Sequence, residues 1–219
     1  MPKSAVPSPR QSRAKETVAK LIAATDDALR AGGETAVRIQ EISAVTGVSI
    51  GSIYHHFGDR DGLIRATYAH NYAVVVEADV PLVRGFMASI SSTTQLADRY
   101  DEMLEFVKAH AKNQSGLERA AIIGTTANRP LMKRELSTVQ HALNEQVTEV
   151  MQIAAERGLL KKHLNPRAAG MVILGLLLGR AVAELDSEPV SEDDWSMAAL
   201  SAAGGMFNGP SHSELLGEQ

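Results

Sequence analysis

Residues Gly47-Val48-Ser49-Ile50-Gly51 fit the G-x-S-x-G pattern that carries the nucleophilic serine of many hydrolases. That chemistry needs a buried β-strand directly ahead of the first glycine, so that a sharp turn lifts the serine above a parallel sheet. The preceding "RIQEISAVT" sets Arg, Gln and Glu around Ile39 and Ile42 and holds no run of β-branched apolar residues. The same five letters suit a turn between two helices, where glycine leaves one helix in the left-handed region and serine caps the next. On that reading Ser49 is a cap, no residue is assigned as catalytic, and the chain is expected not to be an enzyme. His55-His56 invites a metal reading as well. Adjacent helical side chains point about 100° apart, however, and no third ligand lies at usable spacing. Neither a metal nor a cofactor is expected.

The surrounding elements must therefore be helices. The chain has 219 residues, 44% hydrophobic and 22% charged, with only 4% aromatic, so Ala, Leu, Val and Met fill its core. That balance favours helices over a sandwich or barrel, and the expected fold class is all-α with about nine helices. Periodicity places the first over Ser12 to Ala31, stopped by Gly32-Gly33, and the second over Ile39 to Thr46. The third follows Ser49 to Phe57, and the fourth runs from Arg60, capped by Asp59, to about Ala78, where Pro81 ends or kinks it. A fifth carries Leu96, Tyr100, Met103, Leu104, Val107 and Ala111 on one face. Ser115 and Glu118 read as a capping box for a sixth helix reaching about Ala127. The seventh runs from Pro130 to a stop at Gly158, the eighth opens at Asn165-Pro166, and Ser191 with Asp194 boxes the ninth.

Charge is uneven. The net −4 hides a surplus of two positive charges in residues 1–70, where nine Lys/Arg face seven Asp/Glu. Five of those basic residues fall within the first 20, against one acidic residue. Such an arm can steer one end towards phosphate, with Arg10, Arg13 and Lys15 the candidates for DNA contact, although a solvated tail has the same composition. The absence of cysteine excludes disulfides and thiolate metal sites. The prolines and polar residues of the N-terminus lack the apolar core of a signal peptide, and the apolar run Ala168–Gly179 is shorter than a membrane span. A cytoplasmic location without a membrane partner is expected.

Helix, short helix, Gly-Val-Ser turn and "SIGSIYHHFGDRDGLIRATY" together resemble the N-terminal DNA-binding domain of the TetR (tetracycline-repressor-like) family of bacterial transcription regulators. The likeness spans about Arg13 to Tyr68 and rests on Ile42, Gly47-Val48-Ser49, Gly51, Tyr54, His56-Phe57, Asp59-Arg60-Asp61 and Leu63. It implies a basic arm over 1–12, a helix-turn-helix domain over 13–60, a helical ligand-binding and dimerisation domain over 61–208, and a tail over 209–219. It also implies that Ile50 and Gly51 lie against bases, that Ser49, Ser52, Tyr54 and His56 meet mostly phosphate, and that Arg60 holds another phosphate. His55 shares that helix and joins the candidates, and Gln40, one turn into the second helix, is the candidate hydrogen-bonding base reader. Family members often start the second helix with a small hydroxyl residue. This chain has Val37-Arg38 there, so Arg38 is the candidate for that backbone contact.

The eighth helix, "PRAAGMVILGLLLGRAVAEL", is apolar nearly all round. It is either central to a monomer's core or covered by a partner. The resemblance implies the second: a homodimer through the eighth and ninth helices, binding a roughly palindromic double-stranded DNA operator. It further implies a repressor released by a small-molecule effector, held among the fourth to seventh helices. Candidate contacts there are Tyr72, Phe86, Met87, Tyr100, Met103, Phe106, His110, Ile123, Asn128 and Met132. Met and aromatic residues at helical spacing also serve as plain core. If they line a cavity, it suits an uncharged or weakly polar organic molecule.

Overall fold

The computed structural model describes residues 9–77, 80–99, 102, 103, 105, 108 and 116–208. Among these residues the protein is all-α: ten α-helices, one short 3-10 turn, and no strand beyond an isolated bridge between Leu160 and Phe207. The contacts divide it into two compact units, one ending at Asn71 and the other beginning at Tyr72.

In the N-terminal unit α1 spans Pro9–Gly32, α2 Ile39–Thr46 and α3 Ile50–Phe57, and α4 begins at Arg60 and runs to Glu77. Helix α1 starts within the stretch expected to be an arm, because proline at a first helical position loses no bond the helix would have made. Gly33, at φ 65°, ends it. The core is small: Leu21 from α1, Ile39 and Ile42 from α2, Ile53 from α3 and Leu63 from α4, with Ala24, Ala28, Val48 and Phe57 packed against it. Leu63 explains why the first three turns of α4 go with this unit and the division falls at Asn71. Two buried hydroxyls, Thr25 and Thr67, donate back to the carbonyls of Leu21 and Leu63 and so carry no unsatisfied polar cost.

The C-terminal unit holds α5 (Val80–Ser89), α6 (Thr93–Asp98), α7 (Gly116–Gly124), α8 (Pro130–Glu156), α9 (Pro166–Glu184) and α10 (Glu192–Gly204). Pro81 stands second in α5, opening a helix where the sequence had suggested only an end or kink. The missing N–H costs as little in a first turn as beyond a last one. Most of the expected fifth helix lies outside the described residues, but 102, 103, 105 and 108 are helical. Helix α7 stops at Gly124, short of the expected Ala127, and a turn follows in which Asn128 adopts φ 56°.

Met87, Ile90, Val150, Met151, Ala154, Leu159, Leu160 and Ala169 form the core of this unit. Helix α8 supplies three of these, Val150, Met151 and Ala154, from the end of the face anticipated from Leu136 to Ala154. Asn165 and Ser191 cap α9 and α10 by accepting from the amides of Ala168 and Asp194. Helix α9 departs from expectation in one respect. Its 19 residues reach past the apolar run, so by length and composition alone it could cross a membrane, and only 17% of its most apolar window is buried within the chain.

Candidate nucleic-acid interface

The turn between α2 and α3 is built by residues two to five positions apart. Gly47 takes φ 69° and donates its amide to Ser43 O. The Ser43 hydroxyl donates to Val48 O at 2.7 Å, and the Thr46 hydroxyl donates to Ile42 O at 2.7 Å while accepting from Val48 N at 3.3 Å. Ser49 then accepts from Ser52 N at 3.2 Å through its side chain, in the extended conformation of an N-cap. The residues before Gly47 are helical, so the strand of a nucleophile elbow is replaced by α2. Ser43 and Thr46 were not singled out from the sequence. Hydroxyls flanking Gly-Val are the signal that could have found them.

One side of α3 is anchored by Ile53, fully buried, and by half-buried Phe57. Other positions of the helix face out: Ile50, one turn ahead of Ile53, is 38% exposed and Tyr54 45%, with Gly51, His55 and His56 also exposed and Ser52 half-buried. The rings of His55 and His56 meet edge to face at 5.5 Å. Nothing lies within 4 Å of where a Cβ would stand on Gly51, so the first turn of α3 is open to close approach. The structure thus brings Ile50, Gly51, Ser52, Tyr54, His55 and His56 together on one short helix.

The remaining candidates are placed differently. Arg38 occupies the N-cap position of α2 without a capping bond, and its guanidinium pairs with Glu41 at 2.9 Å. Gln40 is exposed on the first turn of α2. Arg60 reaches back instead: Nε donates to Val37 O at 2.8 Å, one Nη donates to Glu34 O, and the other meets Asp61 at 3.1 Å. It therefore ties the lead-in of α2 to the start of α4. Between α3 and α4, Gly58 takes φ 80° and Asp59 Oδ1 accepts from Gly62 N.

In the C-terminal unit, the side chain of Phe86 and residues Tyr100, Phe106 and His110 lie outside the described residues. Tyr72, Met87 and Met132 are buried, Met103 is half-buried, and Ile123 and Asn128 are exposed. The Tyr72 hydroxyl donates to Gln140 Oε1, whose amide donates to Asn144 Oδ1 at 2.6 Å. Burial pushes the Tyr72 phenol above its ordinary value, and the neighbouring Arg119 charge opposes that shift. A cavity of about 70 Å³ is lined by Val76, Val80, Leu143, Val147, Val150, Met151, Ile173, Leu174 and Leu177, with Arg119 as its charged member. Arg119 is itself buried and donates to Val75 O at 3.1 Å. Among the described residues the cavity shares none with the candidate effector set. Its aliphatic lining gave no sequence signal distinct from core.

Residues 21–67 match the model of the family described as bacterial regulatory proteins, tetR family. No curated protein matches the chain. Its fold is similar to that of a candidate TetR-family transcriptional regulator from Mesorhizobium loti, at TM-score 0.64 and 17% identity, covering 89% of this chain and 98% of the other. It is similar also to NalD of Pseudomonas aeruginosa, the secondary repressor of the MexAB-OprM multidrug efflux pump (0.55, 19%, covering 90% and 98%). A third is the fatty acid degradation regulator FadR of Bacillus halodurans (0.55, 15%, covering 86% and 95%). At these identities the likeness is one of fold.

Proposed function

We propose that this chain, a TetR-family helix-turn-helix unit carried on a TetR-regulator fold, is a cytoplasmic, dimeric transcription repressor that leaves a palindromic operator when a small apolar or weakly polar effector binds. The observation that carries the DNA-binding part is the anchored but largely exposed α3, with Ile53 and Phe57 held in the unit and Ile50, Gly51, Tyr54, His55 and His56 exposed. A helix of this kind fits the major groove, its first turn towards base edges and its flanks towards phosphate. Ser49, Ser52, Arg38, Gln40 and Arg60 complete the proposed contact set, Arg60 mainly by holding the entry to α2 in place.

Dimerisation is supported by the outer side of α9. Val172 and Val182 are more than half exposed on an almost wholly apolar helix, as is Leu185 just past its end, and Met197 of α10 is also exposed. A second copy would remove that surface from water and place two reading helices about one DNA turn apart. The effector reading is supported by the aliphatic cavity and by the buried Met132, Met87 and Tyr72.

The test is binding of the full chain to its own upstream DNA at two salt concentrations, beside a Tyr54→Ala, His56→Ala variant. Both positions are exposed, so the variant folds, and circular dichroism checks this. Saturable binding that weakens steeply with salt, and a variant slope shallower by about one per lost phosphate contact, are expected. Identical binding by the two proteins would remove α3 from the interface. Val182→Glu, placed where the side chain is 74% exposed, is expected to yield a folded monomer by sedimentation, and a dimer would refute α9 as the seam.

A further inference from the structure

We propose that Ile50 reads the 5-methyl group of thymine, so that each operator half-site carries a thymine under the first turn of α3. This rests on the DNA-binding reading above and adds to it the kind of base recognised. Helix α3 contains no Arg, Lys, Asn, Gln, Asp or Glu. The bidentate pairs by which side chains usually distinguish guanine, adenine and cytosine in the major groove are therefore unavailable to it. Its first turn offers Ile50, Gly51 and Ser52. Ser52 is half-buried and its amide is taken by the Ser49 cap.

What remains at the leading edge is a branched aliphatic side chain, 38% exposed, next to a glycine with open space around it. Ile50 stands one turn ahead of Ile53 and is left exposed where Ile53 is fully buried. The thymine methyl is the one apolar group that base pairs present in the major groove. The missing side chain at Gly51 lets the helix backbone come close enough for Ile50 to cover it.

The operator is first obtained by selecting bound sequences from random DNA with the full-length protein. If no sequence is enriched, the regulator reading falls, and this assignment falls with it. Each thymine of the selected site is then replaced by deoxyuridine, symmetrically in both half-sites, which removes the methyl and leaves every hydrogen-bonding group. At one position wild-type affinity is expected to fall about fourfold per half-site, the worth of one buried methyl. Ile50→Ala is expected to bind the thymine and uracil forms equally there, while Tyr54→Ala keeps the difference. Two results overturn the proposal: wild-type binding unchanged within twofold at every replaced thymine, or a uracil penalty that persists in Ile50→Ala. Thermal denaturation of Ile50→Ala checks that the exposed substitution leaves the fold intact.

Discussion

Ser49 and Glu184 satisfy the same need in different units. Ser49 accepts an amide of α3 from three residues away, and Glu184 accepts the amides of Gly116 and Leu117, at the start of α7, from 68 and 67 residues away. The pattern extends beyond these two. Around the α2–α3 turn and the start of α4, Ser43, Thr46, Ser49 and Asp59 bond within five residues of themselves. In the C-terminal unit Arg157 collects the carbonyls of Met87, Ala88 and Ile90 at the end of α5, and Asn208 holds those of Gly158 and Leu160. The separation is one of balance, since Asn165 and Ser191 cap locally and Arg60 reaches back to Val37. The reading head is closed chiefly by its neighbours along the chain, and the helical body chiefly by residues that tertiary folding must first bring together.

Two glycines give the harshest test of that contrast. A Cβ on Gly62 would stand 1.9 Å from Phe57 O, a neighbour along the chain, and one on Gly116 would stand 2.5 Å from the Ala181 amide nitrogen of α9. Backbone cannot rotate aside as a side chain does. Gly62→Ala and Gly116→Ala are therefore each expected to cost roughly 3 kcal/mol or more, at or above the top of the usual overpacking range. Hydrogen exchange should place the two losses differently. Gly62→Ala is expected to loosen α3 and the first turns of α4, and Gly116→Ala to loosen α7 and α9. Matching exchange maps would mean that the local and remote contacts do not define separate regions of stability.

Removing the caps is a milder version of the same comparison. Glu184→Ala strips two first-turn amides of a charged acceptor and leaves Arg180, paired with it at 3.6 Å, facing Glu192 alone. A loss of roughly 1.5–3 kcal/mol in urea denaturation is expected, as for hydrogen bonds to a charged group. Ser49→Ala removes one neutral cap and is expected to cost about 1 kcal/mol. Equal losses would show that distance along the chain has no bearing on what a cap contributes here.

The same contrast governs what could be read from sequence. Gly47, Ser49 and Asp59 were legible because each acts within a window of a few residues, and so were Asn165-Pro166, Ser191 and Gly158. Ser115, of the box expected with Glu118, lies outside the described residues; Glu184 is the opposite case, an acceptor for the first turn of α7 that comes from 67 and 68 residues away. Helix α5 was missed because proline marks a helix start and a helix stop with the same letter, whereas α6 holds Leu96, where the face of the expected fifth helix begins. The cavity was illegible for a further reason. Concavity comes from how α7, α8 and α9 are placed, so Val147 or Leu174 looks the same in a sequence whether it fills the core or borders a void. The all-round apolar character of α9 was plain, but which side the chain leaves uncovered was not.

The smallest expected effect separates stability from function within the head. Gly51 sits in the first turn of α3 with no atom within 4 Å of its missing Cβ and with no positive φ. Nothing among the described residues accounts for glycine there, and helix propensity argues against it. Gly51→Ala is accordingly expected to stabilise the protein by up to about 1 kcal/mol. If the open space exists so that the helix backbone can approach base pairs, the same methyl must lower operator affinity. Opposite signs in thermal denaturation and operator binding would identify Gly51 as a residue kept for its DNA contact at the expense of local stability. A gain in stability with unchanged affinity would move the interface away from the first turn of α3. The reading by Ile50 would then have no close approach to depend on, and Gln40 and Arg38 on α2 would become the leading base-facing residues.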